Sequence, residues 1–390
     1  MLGDVCELNP TRPAGFSRRE ETQTSFVPMA AVDDLTGTVA RPEVRPYSAV
    51  KKGYTYFAEG DVLFAKITPC MQNGKHAVAR GLTDGVGFGT TEFHVLRPGH
   101  EITAEWIHSF IRQPWVLHEA TRHFTGAVGQ QRVPEGFLSE LEIPLPPLPE
   151  QRRIAGILNE QMQEVEKARK ATQAQLEAAR ALPAAYLREV FESEEAKKWS
   201  RKRLGDVLNL RNEVVHPYEN PKGPATFVGL EHIEAHTGKR VGSVPVEMSE
   251  LTGRKPRFYS GDIVYGYLRP YLNKVWIAEF DGLCSVDQYV YATDDTTAVT
   301  EFVAAYMRSS TYLARAPITE TPGQLPRIRK EEVARTEIGL PTVSVQKRIV
   351  AEMLTAGHQH AALGESSSTL LDAVDKLPAA LLRKAFGGEL

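Results

Sequence analysis

Short apolar runs rich in β-branched and aromatic residues fill the first 149 positions, among them Asp61-Val62-Leu63-Phe64-Ala65 and Glu92-Phe93-His94-Val95-Leu96, with Gly, Pro and Asn turns between them. Such runs predict strands, with one helix around Trp106 to Leu117. After Pro144-Leu145-Pro146-Pro147-Leu148-Pro149 the period changes. Ile154, Leu158, Gln161, Val165, Ala168, Thr172, Gln175, Ala179 and Leu182 recur in steps of four and three. That is the a/d seam of a helix packing on another helix. It returns as Ile349, Met353, Ala356, His360, Leu363, Ser367, Leu370, Val374 and Leu377. Polar entries at Gln161, Thr172, Gln175 and Ser367 should fix register at some cost in stability.

The return of the seam is part of a wider repetition. Leu2-Gly3-Asp4-Val5 recurs as Leu204-Gly205-Asp206-Val207, and Gly60-Asp61-Val62 as Gly261-Asp262-Ile263. Gly129-Gln130 recurs as Gly323-Gln324, Gln151-Arg152-Arg153-Ile154 as Gln346-Lys347-Arg348-Ile349, and Leu182-Pro183-Ala184-Ala185 as Leu377-Pro378-Ala379-Ala380. The separation drifts only from 202 residues (Leu2 to Leu204) to 195 (Leu182 to Leu377), so the matches are collinear. A period this long makes each copy a domain pair rather than a solenoid element. The expected class is α+β: β-rich heads at 1–149 and 200–343, and spacer helices at 150–199 and 344–390. Helices of thirty-odd residues need a partner, and a local two-fold would pair them as an antiparallel two-helix coiled coil with the heads at opposite ends.

Composition narrows the classes. The 390 residues, 42% hydrophobic with a net charge of −3, exclude wholesale disorder and fibrous repeats. No run of about 18 apolar residues occurs, and Met1-Leu2-Gly3-Asp4 does not open a signal peptide, so a soluble cytoplasmic protein is expected. Cys6, Cys70 and Cys284 stand far apart and read as buried free thiols rather than disulfides or metal ligands. Asp84-Gly85-Val86-Gly87-Phe88-Gly89 leads into a strand, not a helix, which argues against a phosphate loop. His118-Glu119-Ala120-Thr121-Arg122-His123 misses the zinc-protease spacing by one residue, and His232 with His236 lack an evident third ligand. No catalytic or metal residue is assigned.

The run Gly60 to Lys75, Thr91-Glu92-Phe93-His94-Val95-Leu96, and above all Pro146-Pro147-Leu148-Pro149-Glu150-Gln151-Arg152-Arg153-Ile154 resemble the DNA specificity subunit of type I restriction-modification enzymes. The second copy departs from that junction at Thr342, Ser344 and Val345. The resemblance implies a non-catalytic subunit whose heads each read one half of a bipartite site in double-stranded DNA, with the helices setting the gap. It also implies two methyltransferase subunits using S-adenosylmethionine and restriction subunits using ATP and Mg²⁺, with no cofactor on this chain and no membrane. The alternatives are a coiled-coil scaffold without DNA specificity, or a solitary DNA-binding specificity protein.

Charge does not announce the partner. Residues 1–149 hold 14 Lys plus Arg against 17 acids, and residues 200–342 hold 18 against 18, so phosphate contacts must come from local clusters. Base reading calls for Arg or Lys toward guanine and Asn or Gln toward adenine. The candidates are Lys66, Thr68, Gln72, Asn73, Lys75, Gln130, Gln131 and Arg132 in the first head. In the second they are Tyr267, Arg269, Asn273, Lys274, Gln324, Arg327, Arg329 and Lys330. Lys66 answers to Tyr267 and Thr68 to Arg269, so the two half-sites should differ.

Overall fold

The computed structural model describes residues 1–390 except 35, 41, 128, 220, 221, 295, 321 and 322. The chain divides into two compact units, Met1–Gln173 with Thr369–Leu390, and Ala174–Ser368. Two long helices, α1 (Leu148–Glu192) and α2 (Val343–Phe386), each contribute to both units.

In unit 1, strands β1 (Cys6–Leu8), β2 (Gln23–Val27), β3 (Glu43–Pro46), β4 (Thr55–Ala58), β5 (Val62–Ala65), β6 (His76–Val78), β7 (Val86–Gly89) and β8 (Phe93–Pro98) form two sheets, ordered β1-β8-β5-β6 and β3-β2-β7-β4. Strand β5 shows why its run is continuously apolar. Val62 and Phe64 enter one core, with Trp106, Ile107 and Phe110 of the helix Ala104–Ile111. Leu63 and Ala65 enter another, with Val27, Phe57 and Val95. A strand buried on both faces loses the in/out alternation of a half-solvated one. The helix expected over 106–117 is two: Thr103 Oγ1 caps the first by accepting from Trp106 N–H at 3.2 Å, and Pro114 starts a second, Pro114–Arg122. Proline fits the first helical position, where its missing N–H costs nothing.

Unit 2 repeats the arrangement. Strands β9 (Leu208–Leu210), β10 (Ile263–Gly266), β11 (Val275–Ile277) and β12 (Gln288–Thr293) are ordered β9-β12-β10-β11, matching the first sheet of unit 1. The second sheet keeps the four-strand order and adds Val214–Val215 at one edge.

Within each unit the helix segments run antiparallel. In unit 1, Arg153 Nη2 donates to Leu390 O at 2.8 Å and Arg169 Nε to Asp375 Oδ1 at 3.0 Å. Ile154 and Leu158 share a core with Leu382 and Ala385. In unit 2, Arg348 lies 3.5 Å from Glu195, and the rings of Tyr186 and His360 meet edge-on at 6.3 Å.

The contact stripe corrects the expected seam at alternate positions. Ile154, Leu158, Thr172 and Ala179 are buried, as are Ile349, Ser367 and Val374, while Val165, Leu182, Met353 and His360 are half-buried. Ala168 and Gln175 are exposed, and Leu363, Leu370 and Leu377 stand 49%, 49% and 43% exposed. Their places on the stripe are taken by Arg169 and Leu176, and by Gly364, Leu371 and Pro378, one residue further along. An α-helix drifts by roughly 20° per heptad against a strict 3.5-residue repeat, which carries the stripe to the next residue midway along each helix.

Candidate nucleic-acid interface

Backbone pairing gathers the candidates of unit 1 at one edge. Ile67 and Thr125 both bridge to Arg132, Val133 N–H donates to Lys66 O at 2.9 Å, and Thr68 N–H donates to Gln131 O at 3.0 Å. Lys66, Thr68, Gln131 and Arg132 therefore share one surface at the end of β5. Thr68 Oγ1 donates to Gln72 Oε1 at 2.6 Å, tethering Gln72 to the cluster. Met71, fully buried, pins the turn between them. Gln72, Asn73 and Gln130 are exposed.

The electrostatics of this edge turn on Glu92. Arg132 Nε donates to Glu92 Oε2 and Nη2 to Glu92 Oε1, both at 2.8 Å, and Arg132 Nη1 donates to Gln130 O at 2.9 Å. Those side-chain bonds hold the Glu92 carboxyl below its usual range. Burial lowers the Lys66 ammonium, against the opposing pull of Glu92. Beneath it, His94 Nε2–H donates to Val133 O at 2.9 Å, while its Nδ1 accepts from Asn9 Nδ2 at 3.1 Å.

Unit 2 builds the same edge from different side chains. Leu268 and Thr319 bridge to Arg327, Arg269 N–H donates to Pro326 O at 2.8 Å, and Ile328 N–H donates to Tyr267 O at 3.1 Å. Tyr267 and Tyr289 stack with centroids 4.3 Å apart, in the places of Lys66 and His94. Arg269 is exposed in the left-handed region (φ 52°), and Gln324, Arg329 and Lys330 are exposed beside it. The Arg327 guanidinium bonds its own loop, Nε to Leu325 O at 3.4 Å.

Three candidates leave the set. Asn273 is 1% exposed and its Nδ2 donates to Arg308 O at 2.6 Å, so it braces the turn instead of facing solvent. Lys75 Nζ donates to Val32 O at 2.7 Å and Lys274 Nζ to Leu230 O at 2.6 Å. The same half-buried tie at equivalent positions makes these lysines internal fasteners. Their Asn-Gly-Lys and Asn-Lys spacing carried a turn signal that mimics a reading loop. Glu92, Asp287 and Tyr289 were missed. Glu92 lies 40 residues from Arg132, and no local spacing joins them; only strand pairing does.

Residues 1–177 match the family model of the type I restriction modification DNA specificity domain. The EcoEI specificity subunit of Escherichia coli is 40% identical over 162 residues, 41% of this chain and 27% of that protein. The EcoAI specificity subunit of the same organism is 40% identical over 154 residues, 39% of this chain and 26% of that protein. The matched region thus spans about a quarter of the length of these relatives. Among solved structures, the chain superposes with a TM-score of 0.79 on one from work on complex assembly and conformational transition of the type I R-M system, at 22% identity, covering 100% of this chain and 97% of that one. It superposes with a TM-score of 0.63 on the HsdS subunit from Thermoanaerobacter tengcongensis, also at 22% identity, covering 100% and 96%. These likenesses establish the fold.

Proposed function

We propose, from the match of residues 1–177 to the type I restriction modification DNA specificity domain, that the chain is a sequence-reading subunit whose two units each recognise one half of a split DNA site. One observation carries the proposal. The same backbone edge, a strand end bridged to a Gln/Arg loop, recurs in both units with unlike side chains: Lys66 and Thr68 with Arg132 in one, Tyr267 and Arg269 with Arg327 in the other. Identical scaffolds bearing different donors suit two unlike half-sites. Local cations at these edges, Lys66 in one and Arg269, Arg329 and Lys330 in the other, rather than net charge, supply the phosphate contacts.

The chain itself is proposed to be non-catalytic. Methyl transfer from S-adenosylmethionine and ATP- and Mg²⁺-dependent cleavage belong to methyltransferase and restriction partners, with the paired helices setting the interval between half-sites. Among the described residues no helix is long and apolar enough to cross a membrane. Selection of the full chain against randomised duplexes, with affinity measured from about 50 to 200 mM salt, tests the reading. Enrichment of a split motif with unlike halves is the expected result. Salt-insensitive binding, or none to any sequence, would leave a protein scaffold as the better account.

A further inference from the structure

We infer that Glu92 is a positioning residue that presents Arg132 to a guanine in the half-site read by unit 1. The inference rests on the DNA-reading function proposed above. A guanidinium has five N–H groups. Nε and Nη2 each give one to Glu92, and Nη1 gives one to Gln130 O. Two remain, one on each terminal nitrogen, and they form a parallel pair when Gln130 O takes the Nη1 hydrogen on the Cδ side. A pair of terminal N–H groups is the fork that meets guanine O6 and N7 together, the commonest base-specific contact in the major groove.

The Arg132 side chain is 41% exposed and Glu92 only 23%, so the carboxylate backs the guanidinium while the guanidinium faces solvent. A bidentate carboxylate pair fixes the plane of the guanidinium as well as its place. An arginine held this way gives up little further side-chain freedom on meeting a base, whereas a loose one must be ordered at the moment of binding. The ion pair also cancels most of the net charge, so Arg132 is a poor phosphate anchor and a directional base reader.

Unit 2 supplies the contrast within the same chain. Asp287 stands where Glu92 does, each giving its carbonyl oxygen to the residue at the strand end: Lys66 N–H donates to Glu92 O at 2.9 Å and Tyr267 N–H to Asp287 O at 3.2 Å. The Asp287 side chain engages Tyr267, and among the described residues the Arg327 guanidinium bonds Leu325 O, Nε donating at 3.4 Å. Among the described residues no carboxylate fork stands behind Arg327. The half-site of unit 2 is an internal control for any change made at Glu92.

The test is selection of the full chain from duplexes randomised across both half-sites, comparing wild type, R132K and E92A. Wild type is expected to fix guanine at one position of one half-site. R132K keeps the charge and removes the fork, and should lower that guanine preference by about 5- to 150-fold, the range a bidentate base contact is worth. E92A retains Arg132 and should weaken the same position alone, while affinity for non-specific DNA at low salt holds or rises because a cation has been released. An unchanged motif in both variants overturns the inference. So does a parallel loss in both half-sites, which would make Glu92 a fold-supporting residue. A wild-type chain that enriches nothing defeats the DNA-reading premise instead.

Discussion

The side-chain amide of Gln151 closes on the backbone of Thr103, Oε1 accepting from the Thr103 N–H at 3.0 Å. Its Nε2 donates to Glu101 O at 2.9 Å and to Pro146 O at 2.8 Å. One fully buried glutamine thus satisfies three backbone groups and welds the first turn of α1 to the module before it. Gln346 repeats the weld in unit 2, accepting from Val299 N–H at 2.8 Å and donating to Thr297 O and Pro341 O. This explains why Pro-x-x-x-x-Gln-x-x-Ile recurs in both copies, from Pro146 and from Pro341, although Pro147, Pro149 and Glu150 are replaced in the second.

Removing either amide takes the partner from three partly buried backbone groups. Gln151→Ala and Gln346→Ala should each cost about 2–4 kcal/mol, since each unsatisfied group costs roughly 1–3 and some relaxation will recover part. Urea unfolding measures this, and hydrogen exchange at the start of α1 or α2 should rise only in the unit carrying the change. A loss below about 0.5 kcal/mol would mean that the weld is incidental.

The buried aspartates Asp61 and Asp262 are neutralised from different places in the chain. Asp61 receives Arg97 Nε at 2.9 Å and Nη2 at 2.7 Å, and caps the turn by accepting from Ala58 N–H at 2.7 Å. Asp262 accepts from Tyr259 N–H at 2.8 Å but pairs with Arg211 at 2.6 Å, on the segment following β9. Asp61→Ala should cost about 2–3 kcal/mol, less than a fully enclosed pair because Arg97 still reaches solvent. Arg97→Ala should be comparable, and the double variant should cost less than their sum in a thermal or urea cycle. Strict additivity would show that the two side chains do not work together.

The duplication, the strand at β5 and the long helices were legible because each leaves a periodic, apolar or collinear trace. Val62 to Ala65 is apolar at every position, and the Gln-x-x-Ile pairs mark both helix starts. What stayed hidden depends on contacts distant in sequence. Asn273 reads as an exposed turn residue until its Nδ2 is found on Arg308 O, and Lys75 reads as a cation until it is found on Val32 O. The Glu92 pair with Arg132 needs the pairing of the strand end with the 125–132 loop, which no local pattern encodes. The seam phase failed for a subtler reason, because Ala168 and Arg169 are both plausible partners until helix drift selects one.

That phase can be measured. Val374 is 7% exposed and Leu370 49% exposed, four residues apart on α2 within unit 1. Val374→Ala should cost about 1–2 kcal/mol by loss of buried methyl groups, whereas Leu370→Ala should stay within about 0.5 kcal/mol, as surface changes usually do. Guanidinium melts of the two variants decide it. Leu370 proving the costlier site would restore the seam with Leu363 and Leu377 in contact.

Acid should strike unit 1 before unit 2. His76 is buried against Phe64 with rings stacked 4.2 Å apart, and its Nδ1 accepts from Ala65 N–H at 3.1 Å. Burial pushes His76 well below its ordinary value, pushes His108 down to about 3 with Arg112 adding to the effect, and lowers His94. The unfolded chain takes up these protons near pH 6.5, so below that the unfolded state binds more protons and stability falls with pH. Each histidine contributes a slope of up to about 1.4 kcal/mol per pH unit until its folded value is reached. The matching positions of unit 2 are Val275, Tyr289 and Ala304, which cannot take up a proton there. Between pH 6.5 and 5, above the range where carboxylates protonate, unit-resolved hydrogen exchange should show unit 1 loosening while unit 2 changes little. His108→Gln should flatten the dependence in unit 1, and equal acid loss in both units would refute the assignment.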